Sequence, residues 1–349
     1  MAFPIDYRQS AIDNPPMRAA VIDVGTNTVR LLVAESDGRS APRTLLAAQE
    51  ITRLGQGLLP ARELQPEPIR RTVRVLRRYR ELAEAEGAAT IIAVGTSALR
   101  EAGNRAAFLA AARDESGVEV AVIGGEEEAR LALRGVRAGL PGAAARLVMM
   151  DIGGGSTELL LADGETILAM VSTGLGAVKL TESCLHADPP LPAELESVRR
   201  RAAERLDRAQ ASELRDIRPS DSFVGTAGTV TSLAAVDLAL VPYDAARVTG
   251  HRLTRARVAQ LLHRLASLPL ADRRQVPGLE PARADIIVAG GVICLAAMDA
   301  LGFSALTVSD GGLREGILLD LLRRRRWHLP PEARGQMPMS PGEQPGLET

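Results

Sequence analysis

The amino-acid sequence predicts an α/β protein built from two similar domains. Segments typical of β-strands alternate with segments typical of helices in both halves of the chain. The segment DVGTNTVRLLVA (23–34) returns as DIGGGSTELLLA (151–162), with matching residues at the same offsets. Because each copy lies at the start of its half, we interpret the two as the first hairpins of a duplicated fold. The length of 349 residues is sufficient for two separate cores.

Each half is predicted to begin with three strands. In the first half, AAVIDVG (19–25) is a short apolar run that ends in Asp-Gly, which is typical of a buried strand. VRLLVAE and TLLAAQEI follow it, and RLVMMDIG, TELLLAD and ETILAMVS repeat the arrangement in the second half. Further strands are predicted for TIIAVG (90–95), VEVAVI (118–123), SFVGTAG and ALTVSD.

Helices are predicted where apolar residues recur at helical spacing. One helix spans Pro66 to Glu86, with Pro68 near its start and Gly87 after its end. Asn104 can cap another helix, which runs to about Ser116. The remaining predicted helices span 126–140, 175–186, 193–214, 254–267, 282–301 and 313–326.

The chain divides into two predicted domains with a flexible segment at each end. We expect residues 18–138 and 139–329 to form the domains, with the active site in the cleft between them. Residues 1–17 are expected to be a loose extension. Residues 330–349 are rich in Pro, Gly and Glu and are expected to be disordered.

Composition excludes several classes of protein. Aromatic residues make up 2% of the chain and the net charge is −1, so neither base stacking nor a global positive field favours nucleic-acid binding. No apolar run reaches the roughly 18 residues of a membrane span, and the N-terminus lacks a signal-peptide pattern. Cys184 and Cys294 form no CxxC motif, and the four histidines lack metal-ligand spacing. These features predict a soluble, cytoplasmic protein without a zinc site.

The two repeated turns have the composition of phosphate-binding loops. Glycines let backbone N–H groups approach phosphate oxygens, and hydroxyl and amide side chains add further donors. A single loop of this kind is more often an ordinary turn, so the prediction depends on the pair. The candidate phosphate-binding residues are Gly25, Thr26, Asn27 and Thr28 in the first loop and Gly153, Gly154, Gly155, Ser156 and Thr157 in the second.

Three carboxylates lie in or beside these loops: Asp23, Asp151 and Glu158. A carboxylate repels phosphate unless a cation lies between them. Carboxylate and phosphate oxygens are the ligands that Mg²⁺ prefers. The sequence therefore predicts a Mg²⁺ site formed by these three residues.

Two further segments could contact phosphate. GTAGTVTSL (225–233) places Gly225 and Thr226 between a strand and a helix start, a position that favours an anion, although a simple turn explains it equally well. Arg100 follows the end of a predicted strand, where a guanidinium can clamp a phosphoryl group. A lone arginine is more often a solvated surface residue, so this second assignment depends on the other motifs.

Three consecutive acids, Glu126, Glu127 and Glu128, lie at a predicted strand-to-helix junction. Acids favour a helix N-terminus through its dipole, which is the simplest explanation. Phosphoryl hydrolysis also needs a residue that orients and deprotonates water. Sequence physics does not choose among the three.

Six arginines lie on the predicted helix between Pro66 and Glu86. Nearby glutamates favour a solvated, salt-bridged face over a track for a polyanion. The six are Arg70, Arg71, Arg74, Arg77, Arg78 and Arg80.

The ordered set of motifs resembles the Ppx/GppA family of exopolyphosphatases and guanosine pentaphosphate phosphohydrolases. The matching segments are DVGTNTVRLLV, VGTSALREAGN, IGGEEEARL, MDIGGGSTELLL, STGLGAVKLTE, VGTAGTVTSL and SDGGLREGIL. They extend from about Arg18 to Arg326. The resemblance implies two RNase H-like domains of the actin–Hsp70–sugar kinase superfamily with a cleft between them. It also implies Mg²⁺-dependent removal of a terminal phosphate.

The resemblance assigns roles to individual residues. Glu128, immediately before Ala-Arg-Leu, would be the catalytic residue that activates water, and Arg100 would contact phosphate. Asp151 and Glu158 would be the metal-associated acids. Lys179 stands where many members carry Arg. A lysine keeps the positive charge but lacks the planar guanidinium that can donate two parallel hydrogen bonds. The chain contains no His-Asp dipeptide of the kind found in longer members, so it resembles the short, two-domain members.

The leading hypothesis is an exopolyphosphatase that favours short chains of inorganic polyphosphate. The close alternative is hydrolysis of guanosine pentaphosphate with the same residues. A small-molecule kinase of the same superfamily and a non-enzymatic sensor of polyphosphate or guanosine tetraphosphate are the remaining alternatives. The expected partners are therefore a phosphate-chain substrate and Mg²⁺, without nucleic acid or membrane. The sequence leaves the oligomeric state open, with a homodimer among the options.

Overall fold

The computed structural model describes residues 16–37, 41–218 and 220–324, apart from the side chains of residues 323 and 324. It contains two mixed β-sheets, each flanked by helices. The expected tail and all but the last two residues of the expected N-terminal extension lie outside the described residues. No described helix is long and apolar enough to cross a membrane.

The first sheet has the strand order β3-β2-β1-β4-β5. β1 pairs antiparallel with β2 and parallel with β4. The elements of this half are β1 (Met17–Val24), β2 (Thr28–Ser36), β3 (Arg43–Ile51), α1 (Pro66–Ala85), β4 (Thr90–Gly95), α2 (Ser97–Glu101), α3 (Arg105–Ala111), β5 (Val120–Val122) and α4 (Gly125–Gly139).

The second sheet has the order β10-β11-β9-β6-β7-β8. The two sheets have the same strand order: β8, β7, β6, β9 and β11 of the second correspond to β3, β2, β1, β4 and β5 of the first. Strand β10 is an additional edge strand. The predicted duplication of the fold is therefore confirmed. The elements are β6 (Arg146–Ile152), β7 (Thr157–Asp163), β8 (Thr166–Ser172), α5 (Ala177–Cys184), α6 (Pro192–Ala211), β9 (Ser222–Thr226), α7 (Ala227–Asp237), α8 (Ala245–Val248), β10 (Arg252–Thr254), α9 (Arg255–Ser267), α10 (Leu270–Arg273), α11 (Ile287–Leu301), β11 (Ala305–Val308) and α12 (Leu313–Arg324).

Helices cover both faces of the first sheet, which explains why its central strands read as continuous apolar runs. Ala20 and Ile22 of β1 pack on the side of α1, whereas Ala19 and Val21 pack on the opposite side. All four side chains are fully buried. Strand β1 is therefore fixed from both sides, and the loop that follows it is held at a defined place.

Helix α12 packs on the first sheet although it ends the second half of the described chain. Its residues Ile317, Leu318 and Leu321 join the cluster that contains Ala19 and Val21. Burying these apolar side chains against the first sheet is more favourable than leaving them exposed to water. The range 139–329, expected as the second domain, thus includes a helix that contributes to the core of the first half.

Two local predictions were wrong. Asn104 precedes α3, but its side chain makes no capping bond; it accepts from the N–H of Leu64 at 2.8 Å and donates to the Leu64 carbonyl at 3.0 Å. The helix expected from residue 282 begins at Ile287, because Pro281–Arg283 forms a separate 3₁₀ turn. Both differences depend on tertiary contacts, which local spacing does not contain.

The arginines of α1 are paired as the sequence predicts. Arg70 and Arg74 contact Glu67 at 2.7 and 3.7 Å, and Arg78 contacts Glu50. The guanidinium of Arg71 donates to the carbonyl of Thr52 at 3.1 Å. Since these charges already have partners, α1 offers little free positive charge.

Candidate active site

The two predicted phosphate loops face each other across a cleft between the halves. A Cβ atom added to Gly155 would lie 2.6 Å from Oγ of Ser97 and 2.7 Å from Oγ1 of Thr26. The absence of a side chain at Gly155 therefore lets the second loop touch the first half of the molecule. The cleft has a volume of about 100 Å³.

Most of the predicted site residues line this cleft. Those that do are Asp23, Gly25, Thr26, Asn27, Thr28, Glu128, Asp151, Gly153, Gly154, Gly155, Ser156, Glu158 and Thr226. Arg100, Thr157 and Gly225 do not line it.

Backbone N–H groups in both loops are free to bind an anion. The N–H groups of Gly25 and Gly153 close the turns, to the carbonyls of Thr28 at 3.1 Å and Ser156 at 2.9 Å. Among the described residues, no acceptor contacts the next N–H groups in either loop. Free N–H groups that converge in a turn attract phosphate oxygens. These free donors belong to Thr26, Asn27, Gly154 and Gly155.

The two hairpins carry opposite charges at one equivalent position. Asp23 lies opposite Arg30 on the neighbouring strand, whereas Asp151 lies opposite Glu158. Residues directly opposite in an antiparallel pair share one face of the sheet, and like charges there are destabilising. The first hairpin thus supplies its own cation, while the second places two carboxylates side by side.

Loss of hydration and repulsion by neighbouring carboxylates raise the pKa values of Asp23 and Asp151. Burial is the larger cause and the charge of Glu158 the next one, and they raise the pKa of Asp151 to about 7. Burial also raises the pKa of Asp23, and one oxygen of this side chain is buried without a hydrogen-bond partner. Carboxylates in this state favour binding of a proton or a metal cation.

Glu128 lies in the first turn of α4 with its side chain 15% exposed. Burial and the charge of Glu158 raise its pKa to about 8, although the adjacent guanidinium of Arg100 opposes the shift. Arg100 bonds to the Glu128 carboxylate and donates to the carbonyl of Ile123 at 3.2 Å. Of the three adjacent acids, Glu128 is the one that lines the cleft.

The three predicted residues outside the cleft have other contacts. Arg100 reaches the site only through Glu128. The hydroxyl of Thr157 donates to the carbonyl of Leu175 at 2.8 Å, which holds the strand after the second loop. Gly225 lies within β9, where it pairs with Met150. In this structure these three residues support the cleft rather than line it.

The N-terminus of α7 reaches the cleft, but a guanidinium covers it. Arg283 packs against Gly228 so closely that no Cβ fits there, and its Nη2 donates to Oγ1 of Thr28 at 3.3 Å. Burial lowers the pKa of Arg283 to about 9. In the described chain no carboxylate lies within ion-pair distance of Arg283. A buried, unpaired cation beside a positive helix end is stabilised by a bound anion.

Arg30, Arg283 and Arg314 line the cleft and were not predicted as site residues. Arg30 could have been found from the repeat, because it follows Asp23 at the spacing that separates Glu158 from Asp151. Arg283 and Arg314 reach the site only through the packing of distant segments. Together they place three guanidinium groups at the cleft, which favours an anionic ligand.

The chain is similar to known proteins along most of its length. A model of the Ppx/GppA phosphatase family matches residues 32–325. The chain belongs to this family. Exopolyphosphatase 2 of Mycobacterium tuberculosis is 36% identical over 316 residues, which cover 87% of this chain and 98% of that protein.

Solved Ppx/GppA structures have the same architecture. The family member from Aquifex aeolicus is 32% identical, with a TM-score of 0.74, and covers 90% of this chain and 100% of its own. An exopolyphosphatase from Cytophaga hutchinsonii is 26% identical, with a TM-score of 0.79, and covers 88% of this chain and 98% of its own. Membership of the Ppx/GppA family makes this protein a phosphatase, and therefore a hydrolase.

Two ion pairs hold the halves of this Ppx/GppA protein together beside the cleft. Lys179 of α5 contacts both carboxylate oxygens of Glu101 of α2, at 2.7 and 2.8 Å. Ser97, which lines the cleft, donates to the same carboxylate at 2.9 Å. Arg53 of the first half contacts Asp285 of the second half at 2.5 Å. We name these pairs the Lys179–Glu101 clamp and the Arg53–Asp285 clamp.

Proposed function

We propose that this protein is a Mg²⁺-dependent exopolyphosphatase that removes the terminal phosphate of inorganic polyphosphate. The position of Glu128 carries the proposal. Its carboxylate faces the cleft that both phosphate loops line, and its pKa is raised to about 8. A carboxylate of this kind is suited to accept a proton from water near neutral pH.

The proposed reaction is an in-line attack of water on the terminal phosphorus. Glu128 accepts a proton from the water as the new P–O bond forms and the anhydride P–O bond breaks. The free N–H groups of both loops, together with Arg30 and Arg283, would stabilise the charge on the phosphoryl oxygens. Arg100 would hold the Glu128 carboxylate in place. The products are phosphate and a chain shorter by one unit.

The second hairpin fits a Mg²⁺ ion. Asp151 and Glu158 lie opposite each other as a like-charged pair, and Asp23 has an oxygen without a partner. The described residues contain no group of three His, Cys, Asp or Glu side chains that could hold a metal ion. The three-carboxylate site expected from the sequence is therefore not formed by the described residues, and the proposed Mg²⁺ would instead be held by Asp151 and Glu158 together with phosphates and water. When bound, Mg²⁺ would offset the charge of the phosphates and of this pair.

Short chains are the proposed preferred substrate. The cleft volume of about 100 Å³ leaves room for a small part of a phosphate chain. The contact of Gly155 with the first half also restricts the space between the loops. A short chain could fill this space without further contacts to the protein.

Guanosine pentaphosphate is the second candidate substrate. A groove of about 670 Å³ shares Arg30, Arg283 and Arg314 with the cleft and is also lined by Tyr243. Tyr243 is 49% exposed. A half-exposed aromatic ring near several guanidinium groups could accept a purine while its phosphates enter the cleft. We do not propose the kinase or the sensor, because the family is one of phosphatases.

Phosphate release separates the two substrates. The purified protein with Mg²⁺ should release phosphate from tripolyphosphate, and Glu128→Gln should lower kcat by about 10²–10⁴-fold. Glu127→Gln is the matched control, since Glu127 pairs with Arg130 at 2.6 Å on the same helix. If phosphate is released from guanosine pentaphosphate but not from polyphosphate, guanosine pentaphosphate is the substrate and the leading proposal is wrong. Full activity of Glu128→Gln would refute the proposed base.

We propose a cytoplasmic location, on the basis of the sequence features described above. Cys184 and Cys294 are buried and free in the structure, so neither is part of a disulfide. The homodimer option stays a prediction.

A further inference from the structure

Three polar side chains form a row across the first three strands of the second half. Asp151 of β6 pairs with Glu158 of β7, which pairs in turn with Ser172 of β8. Directly opposed residues share one face of a sheet, so the three side chains lie side by side. Asp151 and Glu158 line the cleft, whereas Ser172 is exposed on the edge strand and does not line it. Ser172 therefore approaches the carboxylate pair from outside the cleft.

The hydroxyl of Ser172 donates a hydrogen bond to Glu158. The hydroxyl oxygen lies 2.8 Å from Oε1 of the glutamate, whose surface is 3% exposed. In the part of the chain that the structure describes, no other donor bonds to this carboxylate. A hydrogen bond to an ionised carboxylate is stronger than one between neutral groups. One oxygen of Glu158 is thus engaged by Ser172, and the second oxygen, Oε2, stays free.

Strand pairing fixes the place of this hydroxyl. The N–H group and the hydroxyl of Thr173 both donate to the carbonyl of Thr157, each at 3.0 Å. Thr157 directly precedes Glu158, and its own hydroxyl donates to the carbonyl of Leu175 at 2.8 Å. These bonds hold the end of β8 against the start of β7. Ser172 and Glu158 therefore meet at a defined position of the sheet.

The equivalent row of the first sheet lacks such a bond. Asp23 pairs with Arg30, and Arg30 pairs with Gln49 of β3. Within the described ranges no hydrogen bond joins Gln49 to Arg30. The hydroxyl that bonds to its neighbour is thus found in the row that carries the two carboxylates. This contrast favours a role at the carboxylates over a role common to both sheets.

The number of oxygens that a glutamate presents affects which cation it binds. Ca²⁺ accepts many oxygens in a flexible arrangement, often including both oxygens of one carboxylate. Mg²⁺ is smaller and requires a nearly ideal octahedral arrangement. A carboxylate with one oxygen held by a hydrogen bond is suited to contact a cation through its other oxygen. Side chains that orient a metal ligand in this way have a large effect on metal affinity.

We propose that Ser172 is a positioning residue that directs a single oxygen of Glu158 to the cation and thereby favours Mg²⁺ over Ca²⁺. The inference rests on the proposed function, because it assumes a cation at Asp151 and Glu158. Ser172 lies outside the cleft and acts through Glu158 alone.

Metal binding in the absence of substrate tests this role. For the full chain, the rise of Tm with the concentration of Mg²⁺ or of Ca²⁺ gives an apparent Kd for each ion. Ser172→Ala should weaken Mg²⁺ binding by about tenfold and Ca²⁺ binding much less, so the ratio of the two Kd values should shift about tenfold towards Ca²⁺. Ser172→Thr keeps the hydroxyl and should restore the ratio of the wild type.

Thr166→Ala is the matched control. It removes a hydroxyl from the opposite end of β8, where the side chain is also exposed. Both Kd values should stay unchanged in this variant. A lower Tm of Ser172→Ala in chelator with an unchanged ratio of Kd values would show that the hydrogen bond only stabilises the fold, and would overturn the inference. Failure of Ser172→Thr to restore the ratio would also overturn it.

Phosphate release by the wild type separates this inference from the proposed function. If the protein hydrolyses no polyphosphate but the ratio of Kd values depends on Ser172, the proposed function is wrong and the role of Ser172 stands. If the protein hydrolyses polyphosphate with Mg²⁺ but the ratio does not depend on Ser172, only the inference is wrong. If neither cation changes the Tm of the wild type, the cation site at Asp151 and Glu158 is wrong and the inference is wrong with it.

Discussion

At the scale of single residues, Asp23 and Asp151 occupy equivalent places but have different neighbours. Arg30 lies opposite Asp23, whereas Glu158 lies opposite Asp151. Divergence at one position of the duplicated hairpin thus separates two tasks. In the function proposed above, the guanidinium of the first hairpin would contact phosphate, and the carboxylate pair of the second would hold a cation.

Neutralising Asp151 should stabilise the protein when divalent cations are absent. Its pKa is raised from 3.8 to about 7, so the folded state holds a proton more tightly than the unfolded state. The resulting stabilisation is fully present below the unfolded pKa and is lost as pH rises through about 7. At about pH 8, Asp151→Asn should therefore raise Tm by a few degrees in thermal unfolding with a chelator.

Two controls accompany this measurement. At about pH 5 the wild-type carboxyl is largely protonated, so the difference in Tm should shrink. Adding Mg²⁺ should raise the Tm of the wild type more than that of Asp151→Asn. A variant less stable than the wild type at the higher pH would contradict the repulsion between Asp151 and Glu158.

At the scale of elements, α4 and α12 cross with their backbones in contact. Gly135 of α4 packs against the backbone of Gly312, and Gly316 of α12 packs against the carbonyl of Leu131. Arg134 and Asp320 form an ion pair between the same helices. Since α4 carries Glu128 and α12 starts beside the cleft, this crossing positions the candidate base.

Gly316→Ala should destabilise the fold. The added methyl group has no space beside the Leu131 carbonyl, and overpacking of this kind costs typically 1–3 kcal/mol. The measurement is the free energy of unfolding in urea. Gly142→Ala is the matched control, because nothing lies within 4 Å of a Cβ added there. Equal stability of the two variants would show that the helices can separate without cost.

Local sequence patterns were sufficient for the elements that repeat. The hairpins β1–β2 and β6–β7, and helices such as Pro66–Ala85, follow from apolar periodicity and Gly or Pro punctuation. The start of α11 and the role of Asn104 did not follow, because they depend on contacts with distant segments. For the site, the repeated loops were predictable from their spacing. The contribution of Arg283 was not, because the 3₁₀ turn that carries it reaches the cleft only through tertiary packing.

At the scale of the whole molecule, the two clamps hold the halves around the cleft. The Lys179–Glu101 clamp connects α5 to α2, which carries Arg100. The N–H groups in the first turn of α5 donate to the carbonyls of the second loop. The Arg53–Asp285 clamp lies close to Arg283 along the chain. Each clamp therefore joins the two halves within two residues of an arginine, Arg100 or Arg283, that supports or lines the cleft.

Breaking the Lys179–Glu101 clamp should impair turnover more than stability. Lys179→Met and Glu101→Gln should each lower kcat/KM, since the halves then close less often around the substrate. Their effects should not add in a double-mutant cycle, because both remove the same contact. Lys179→Arg should restore most of the activity.

Arg18→Met provides the control for this cycle. Arg18 pairs with Glu35 at 2.8 Å within the first half, so its loss should leave kcat/KM unchanged. Strictly additive effects of the Lys179 and Glu101 variants would contradict a shared role.

The return of α12 to the first sheet has a consequence for biosynthesis. A ribosome completes strands β1 to β5 long before it makes residues 313–324, which cover one face of that sheet. At about 5–20 residues per second the delay is on the order of 10–40 s. Throughout this interval part of the apolar surface around Ala19 and Val21 stays accessible to chaperones or to other nascent chains. The first sheet thus acquires its complete core only when residues 313–324 have been made.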